Sequence, residues 1–211
     1  MNESASRVFV VDDDAGICRA FARLLRSAGY QAEIFESAHS FLNGADLSSG
    51  PACVVLDLQL PDLSGLEVQR ELNMSLPIIF VTGHGDIGTT VDAMKAGAAD
   101  FLTKPVCDSV LLDVVERALE RARVIFERRR ELAEIRLRLD RLTPREREVM
   151  ARVVTGRLNK QIAGELGIAE KTIKIHRARV MEKMGAQTLA DLIHLADKAG
   201  IGAAESVRLL H

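Results

Sequence analysis

"ACVVLDLQLPDLSGLE", residues 52–67, sets five consecutive apolar residues ahead of Asp57 and closes on Ser64–Glu67. Unbroken rather than alternating hydrophobicity marks a strand covered on both faces, as in a parallel sheet. Ser and Glu three apart in "SGLE" read as a capping box, so a helix opens there. A buried strand leading into a helix is one βα unit, and the pattern recurs. Strand-like runs appear at "RVFVV" (7–11), "AEIFE" (32–36), "PIIFV" (77–81) and "ADFLT" (99–103). Helix-length patterns separate them; Ile17, Phe21, Leu24 and Leu25, for example, keep i, i+4, i+7, i+8 spacing. Five βα units predict an α/β domain with a five-stranded, parallel, doubly wound sheet.

Open parallel sheets carry their chemistry at the carboxyl ends of the strands. Here the first run ends in Asp12 and Asp13, the third in Asp57, the fourth in Thr82, and the fifth in Lys104 and Pro105. The second ends in nothing comparable. With strand order 2-1-3-4-5, the order reverses beside strand 1, and the crevice between strands 1 and 3 collects Asp12, Asp13 and Asp57. Three packed carboxylates repel one another unless a cation or protons compensate, and a hard ion such as Mg²⁺ suits oxygen ligands. Carboxylates, Mg²⁺, a lysine and a hydroxyl suit phosphoryl transfer: one carboxylate attacks phosphorus while metal and ammonium neutralise the equatorial oxygens. Any one of these residues could instead cap a helix, since Asp and Thr often do so after strands. Such residues at four of the five strand ends argue for a shared site.

"VTGHGDIG", residues 81–88, spaces Gly83, Gly85 and Gly88 as a dinucleotide fingerprint would. That fingerprint follows the first strand of its unit and requires an acidic residue at the end of the next strand. Here Thr82 precedes the glycines, the next strand ends in Lys104, and Asp100 sits at the wrong end, so a redox cofactor is not expected. The segment reads as a switch loop in which glycines let Thr82 relocate and Asp86 caps the fourth helix.

The 211 residues carry a net charge of −2 that conceals a division. Residues 1–120 hold 8 Lys and Arg against 18 Asp and Glu, net −10, whereas residues 121–211 hold 20 against 12, net +8. A basic module for nucleic acid joined to an acidic module is one reading; salt-bridged helix faces are the other. No apolar run approaches a membrane span and "MNESASR" lacks a secretory h-region, which predicts a cytoplasmic protein that does not engage a membrane. Cys18, Cys53 and Cys107 are scattered and odd in number, which predicts buried or inert thiols rather than disulfides or a zinc site. His39, His84, His194 and His211 have no ligand spacing.

Residues 108–142 contain no Gly or Pro and predict one long helix. Ala118, Ile125, Leu132, Ile135, Leu139 and Leu142 form an a/d-like seam interrupted by arginines, so a linker helix that pairs in a dimer and a solvated connector both fit. "LTPRERE" opens a second domain, with Thr143 as N-cap, Pro144 at N1 and Glu146 at N3. Val149, Met150, Val153 and Val154 give the buried stripe, and Gly156 stops the helix. Asn159 is expected to cap a short helix, Gly167 and Ile168 turn the chain, and a second helix follows from about Glu170 to Met184: a helix-turn-helix. Ile173, Val180, Met181 and Met184 take its inner face. Lys171, Thr172, Lys174, Ile175, Arg177, Ala178 and Arg179 lie near the outer face, where a helix in the major groove needs phosphate-binding cations and base-reaching side chains. Ala169 stands where a Ser or Thr cap is usual.

"VVDDD", "VVLDLQLPDLSGLE", "VTGHGD" and "FLTKP" resemble the receiver domain of bacterial two-component response regulators, a flavodoxin-like fold, over roughly the first 120 residues. The resemblance implies that Asp57 is the phospho-accepting aspartate. It implies that Asp13, Asp57 and the Gln59 carbonyl hold Mg²⁺, with Asp12 assisting through water, and that Lys104, with a cis peptide to Pro105, binds phosphoryl oxygens. Thr82 and Phe101 match the switch pair: the hydroxyl moves towards the phosphoryl group and the ring turns inward. The face of helix 4, strand 5 and helix 5 then dimerises. "TPREREV", "NKQIAGELGIAEKTIKIHR" and "LADLIHLA", within residues 143–197, resemble the LuxR/NarL-type DNA-binding domain, so the whole chain is similar to a FixJ-type response regulator. This implies that Lys171, Lys174, Ile175 and Ala178 approach base edges while Lys160, His176, Arg177 and Arg179 favour phosphates. It also implies that residues 188–200 form a final helix often used for dimer contacts.

The expected organisation is a receiver over 1–121, a linker helix over 122–142 continuing helix 5, and a helix-turn-helix domain over 143–211. The expected function is transcription control: a sensor histidine kinase phosphorylates Asp57, and the resulting homodimer binds double-stranded DNA. Two other readings are a constitutive DNA binder whose receiver serves only protein contacts and, from the enzyme class, a Mg²⁺-dependent phosphohydrolase. The phosphohydrolase would need an acid-base residue beside Asp57 that the sequence lacks.

Overall fold

The computed structural model describes residues 6–83 and 87–201, so the expected Asp86 cap and the positions of Gly85, His84 and His211 lie outside the described residues. The chain divides into two compact units, Met1–Glu127 and Arg128–His211.

In the first unit, β1 (Arg7–Val11), β2 (Gln31–Phe35), β3 (Ala52–Asp57), β4 (Ile78–Thr82) and β5 (Asp100–Thr103) form one sheet in the order β2-β1-β3-β4-β5. Every pair is parallel. Helices α1 (Ala15–Ser27), α2 (Ala38–Gly44), α3 (Gly65–Leu72), α4 (Ile87–Lys95) and α5 (Asp108–Asp140) complete the βα alternation. β3 is buried at every residue and β4 likewise, which is why their sequences are continuously apolar. Alternate strand residues feed two cores. Phe9, Val11, Val54, Leu56, Ile78 and Phe80 meet Phe41 of α2, Val68 of α3 and Ala93 of α4 on one face. Val8, Val10, Cys53, Val55, Ile79 and Val81 meet Cys18 and Leu25 of α1 and Leu111 and Val115 of α5 on the other.

Along α1 the buried positions are Cys18, Ala22 and Leu25, while Ile17, Phe21 and Leu24 are only partly covered. Those three line a groove of about 840 Å³ that also takes in Lys104, Pro105 and Val106. The helix's apolar stripe is wider than its contact with the sheet, so periodicity alone overstates its burial. Among the cysteines, Cys18 and Cys53 are buried, and burial pushes the Cys18 thiol up to about 11. Cys107 departs from expectation: it is exposed just before α5, and the Ser109 hydroxyl, helped by backbone N–H groups, draws its thiol below the ordinary value.

α3 opens with the anticipated capping box, Ser64 accepting from Glu67 N–H and Glu67 accepting from Ser64 N–H. Gly65 starts this helix hard against the end of β3, its N–H donating to the Leu58 carbonyl at 2.9 Å. A β-carbon there would lie 2.8 Å from both the Asp57 carbonyl oxygen and the Phe80 ring.

The second unit comprises the last turns of α5 with α6 (Pro144–Val154), α7 (Asn159–Leu166), α8 (Glu170–Met184) and α9 (Leu189–Lys198). The residues expected to act as a connector divide between the units: Ala122 is buried, and Ile135 and Leu142 join Met150, Ile162, Ile173, Met184 and Leu192 in the second core. Thr143, Pro144 and Glu146 form the anticipated capping box with proline at N1. Asn159 is not a cap; Leu158 occupies that position, with its N–H satisfied by Gln161 Oε1 at 2.8 Å. Gln161, at N3, can supply its amide oxygen to the N-cap backbone, which frees the Asn159 side chain for another partner. α8 begins after Ala169 without a side-chain cap, as anticipated, and α9 after Thr188. Among the described residues, no helix is long and apolar enough to cross a membrane.

Gly65→Ala is expected to cost about 1–3 kcal/mol, because two of its three nearest neighbours are backbone and cannot yield. Urea unfolding should show a lower midpoint with an unchanged m-value.

Candidate functional site

Strand register decides which side chains meet at the carboxyl edge of the sheet. Val11 pairs with Leu56, so the next residues, Asp12 and Asp57, emerge side by side. Thr82 pairs with Thr103, and the Lys104 N–H donates to the Thr82 carbonyl at 2.8 Å, which brings Lys104 to the same edge ahead of a cis bond to Pro105. The capping alternative does not hold for these acids. Asp14 caps α1, accepting from Gly16 and Ile17, and Ser64 caps α3. Asp12 and Asp57 are buried instead, at 2% and 7% exposure, with one oxygen of each held by backbone: Asp14 N–H donates to Asp12 Oδ1 at 2.9 Å and Gln59 N–H to Asp57 Oδ1 at 3.0 Å. Lys104 Nζ donates to the other oxygens, 2.6 Å to Asp12 Oδ2 and 2.7 Å to Asp57 Oδ2.

One ammonium therefore serves two buried carboxylates, with Asp13 exposed beside them. Burial raises the Asp12 carboxyl above its ordinary 3.8 and the Asp57 charge adds to this, against the bonds from Lys104 and Asp14. Burial also opposes the Lys104 charge, but Asp12 and Asp57 outweigh it and hold the ammonium above its ordinary 10.5. Ligand oxygens of Asp12, Asp13 and Asp57 all lie within 4.8 Å of one another. A compact all-oxygen set with surplus negative charge fits a hard divalent cation. Thr82 is buried at the end of β4. Phe101 is partly buried, its ring centroid 6.3 Å from that of Phe80. Gln59 is exposed.

In the second unit Ile173, Val180 and Met184 are buried and Met181 partly so, which turns the opposite face of α8 outward. Lys171, Lys174, Ile175, Ala178 and Arg179 are exposed, as is Lys160 on α7; Thr172, His176 and Arg177 are half-buried. Lys174 pairs with Glu170 at 3.3 Å one turn back. Arg177 donates to Asn159 Oδ1 at 3.2 Å, which ties α8 to the first turn of α7. His176 Nδ1 is buried without a hydrogen-bond partner among the described residues.

Residues 8–116 match the family described as "Response regulator receiver domain", and residues 140–196 match "Bacterial regulatory proteins, luxR family". The Nodulation protein W of Bradyrhizobium diazoefficiens is 49% identical over 199 residues, covering 93% of this chain and 87% of that protein. The chain is a two-component response regulator with a LuxR-type DNA-binding domain. The response regulator is also 40% identical to the Transcriptional regulatory protein FixJ of Rhizobium meliloti, over 92% of this chain and 97% of FixJ. Among solved structures it is similar to response regulator StyR, with TM-score 0.74 and 43% identity over 92% of this chain and 99% of that one. Full-length FixJ from B. japonicum gives TM-score 0.52 and 38% identity, over 92% and 97%. By name, FixJ is a transcriptional regulatory protein and StyR a response regulator.

Two features of the response regulator's sites escaped the sequence. Asn159 reads as a cap and is instead a partner of Arg177; a Gln three residues after Leu158 was the signal that the cap was already supplied. Lys183 was not singled out by the sequence, yet its ammonium bonds the 2%-exposed carboxylate of Glu146 at 2.6 Å and holds that carboxyl below its ordinary 4.5.

Replacing Lys104 by Met leaves the Asp12 and Asp57 carboxylates buried without their ammonium, an expected loss of about 3–5 kcal/mol near neutral pH. A carboxyl whose folded pKa is raised contributes stability at low pH that is lost as pH rises through that pKa. The deficit of Lys104→Met, followed by denaturant titrations in metal-free buffer, should therefore shrink as pH falls from about 7 towards 5.

Proposed function

We propose that Asp57 accepts a phosphoryl group from the phosphohistidine of a sensor kinase, and that this modification switches dimerisation and sequence-specific DNA binding in the cytoplasm. The observation that carries the reading is the bonding of the buried Asp57 and Asp12 carboxylates to one lysine, at a strand end where neither caps a helix. In the transfer, an Asp57 oxygen forms a bond to phosphorus as the phosphorus–nitrogen bond to the donor imidazole breaks. The imidazole nitrogen keeps the electron pair and is protonated. Asp13, Asp57 and the Gln59 carbonyl would hold Mg²⁺, with Asp12 acting through water; when bound, the ion neutralises charge on the phosphoryl oxygens. Lys104 leaves its position between two carboxylates to bond the new oxygens, and Thr82, adjacent on β4, turns its hydroxyl towards them. Phe101, already packed against the first core, fills the vacated space.

Ile87, Val91 and Met94 of α4 are exposed at i, i+4, i+7 spacing, an apolar stripe suited to the dimer face. Dimerisation brings two α8 helices to successive half-sites, with Lys171, Lys174, Ile175 and Ala178 at base edges. Lys160, His176, Arg177 and Arg179 approach phosphates, and Thr172 lies along the same surface. The functional division is a receiver over 1–121, a linker helix over 122–142 that continues α5, and a DNA-binding domain over 143–211; the boundary between the two compact units falls within that linker.

Incubation with acetyl phosphate and Mg²⁺ should add about 80 Da to the wild type and nothing to Asp57→Asn. Sedimentation should show dimer formation only in the phosphorylated wild type. Identical association by Asp57→Asn would favour the constitutive reading, and continuous phosphate release at many turnovers per chain would favour the phosphohydrolase. Asp13→Asn, which breaks neither bond of Lys104, is expected to keep its melting temperature without metal while losing the stabilisation that millimolar Mg²⁺ gives the wild type.

A further inference from the structure

The C-terminal end of α8 is tied to the end of α5 by two bonds running in opposite directions. At that end the backbone closes on itself: Gly185, at φ 68°, donates to Glu182 and Met181 carbonyls, and Ala186 donates to Met181. The carbonyl of Met184, the last residue of α8, accepts from Arg138 Nη1 on α5 at 3.1 Å. In return, Lys183 Nζ on α8 donates to the carbonyl of Arg141, just past the end of α5, at 3.1 Å. The same ammonium bonds Glu146 Oε2, which also accepts the Thr143 N–H at 2.8 Å. Three helix ends, those of α5, α6 and α8, thus share one buried carboxylate and two cations.

Each cation sits where a helix leaves carbonyls unmatched and its dipole favours positive charge. One bond would allow α8 to swivel about the contact; two opposed bonds between the same helix ends fix both spacing and rotation. Gly185 contributes room as well as its left-handed turn, since a β-carbon there would lie 3.2 Å from Arg138 Nη1. The lever is long. Lys174 precedes Met184 by ten residues, about 15 Å along the axis, so a tilt of about 5° displaces it by roughly 1 Å. Recognition geometry tolerates only about half that.

We propose that Arg138, outside the helix-turn-helix, is a positioning residue for base reading. With Lys183 it anchors α8 to the end of α5 and holds Lys174, Ile175 and Ala178 in register with base edges. The proposal rests on α8 being the helix that reads DNA.

The test uses the full chain, a duplex enriched from a randomised pool by the wild type in acetyl phosphate and Mg²⁺, and a scrambled duplex of the same length. Arg138→Ala should lower the ratio of enriched to scrambled affinity about tenfold. Scrambled-duplex affinity and the slope of log affinity against log salt should stay unchanged, because phosphate contacts remain. Arg138→Lys, which keeps a donor and a charge, should recover most of the ratio. An unchanged ratio in Arg138→Ala overturns the proposal, as does an equal fall in both affinities accompanied by a lower melting temperature, which is the signature of a merely structural role. Lys174→Ala separates the two readings. If it leaves the preference intact, α8 is not the reading helix and the proposal falls with that reading; if it abolishes the preference while Arg138→Ala does not, only the proposal falls.

Discussion

The receiver's site depends on a charge imbalance held at the edge of a sheet: one ammonium, that of Lys104, between the buried carboxylates of Asp12 and Asp57. Burying charges is costly unless they are paired, and pairing here is incomplete because a third carboxylate, Asp13, stands beside them. One ammonium set against three carboxylates leaves surplus negative charge, so the cluster still has a use for more positive charge. Surplus negative charge in a compact all-oxygen set fits a hard divalent cation. The surrounding fold supplies the rigidity: β3 is buried along its whole length, and Gly65 lets α3 start in van der Waals contact with the strand that ends in Asp57.

The same logic recurs with opposite emphasis in the second unit. Glu146 is as deeply buried as Asp12, but its bonds from Lys183 and Thr143 draw its carboxyl down, whereas burial drives the Asp12 carboxyl up. Glu146 has a cation of its own, whereas Asp12 shares Lys104 with Asp57. α5 takes part in both units, contributing Leu111 and Val115 to one core and Ile135 and Leu142 to another, so its 33 residues are more than a spacer.

Much of this was legible in the residues. Continuous apolar runs marked β1, β3 and β4 to within a residue, because strands covered on both faces leave no polar alternation, while β2 and β5, which are partly exposed, were read from short β-rich runs. The strand-end rule then singled out Asp12, Asp57, Thr82 and Lys104, since the sheet's topology converts sequence position directly into spatial position. Local capping chemistry was read correctly at Ser64 and Thr143, where donor and acceptor are three residues apart. It failed at Asn159, where the partner, Arg177, is eighteen residues away on another helix.

By itself, the sequence determined the alternation of strands and helices, the acidic and basic division of the chain, and the identity of the groups at each strand end, all set by local propensity and periodicity. Tertiary structure alone decided which oxygens Lys104 bridges, that Asp14 rather than Asp12 caps α1, that Ile17, Phe21 and Leu24 face a groove, and that Arg138 and Lys183 exchange bonds across helix ends. The reason is distance along the chain: Lys104 and Asp12 are 92 residues apart, and Lys183 and Arg141 are 42 apart. Packing of whole elements fixes such pairs, and no spacing in a sequence encodes it.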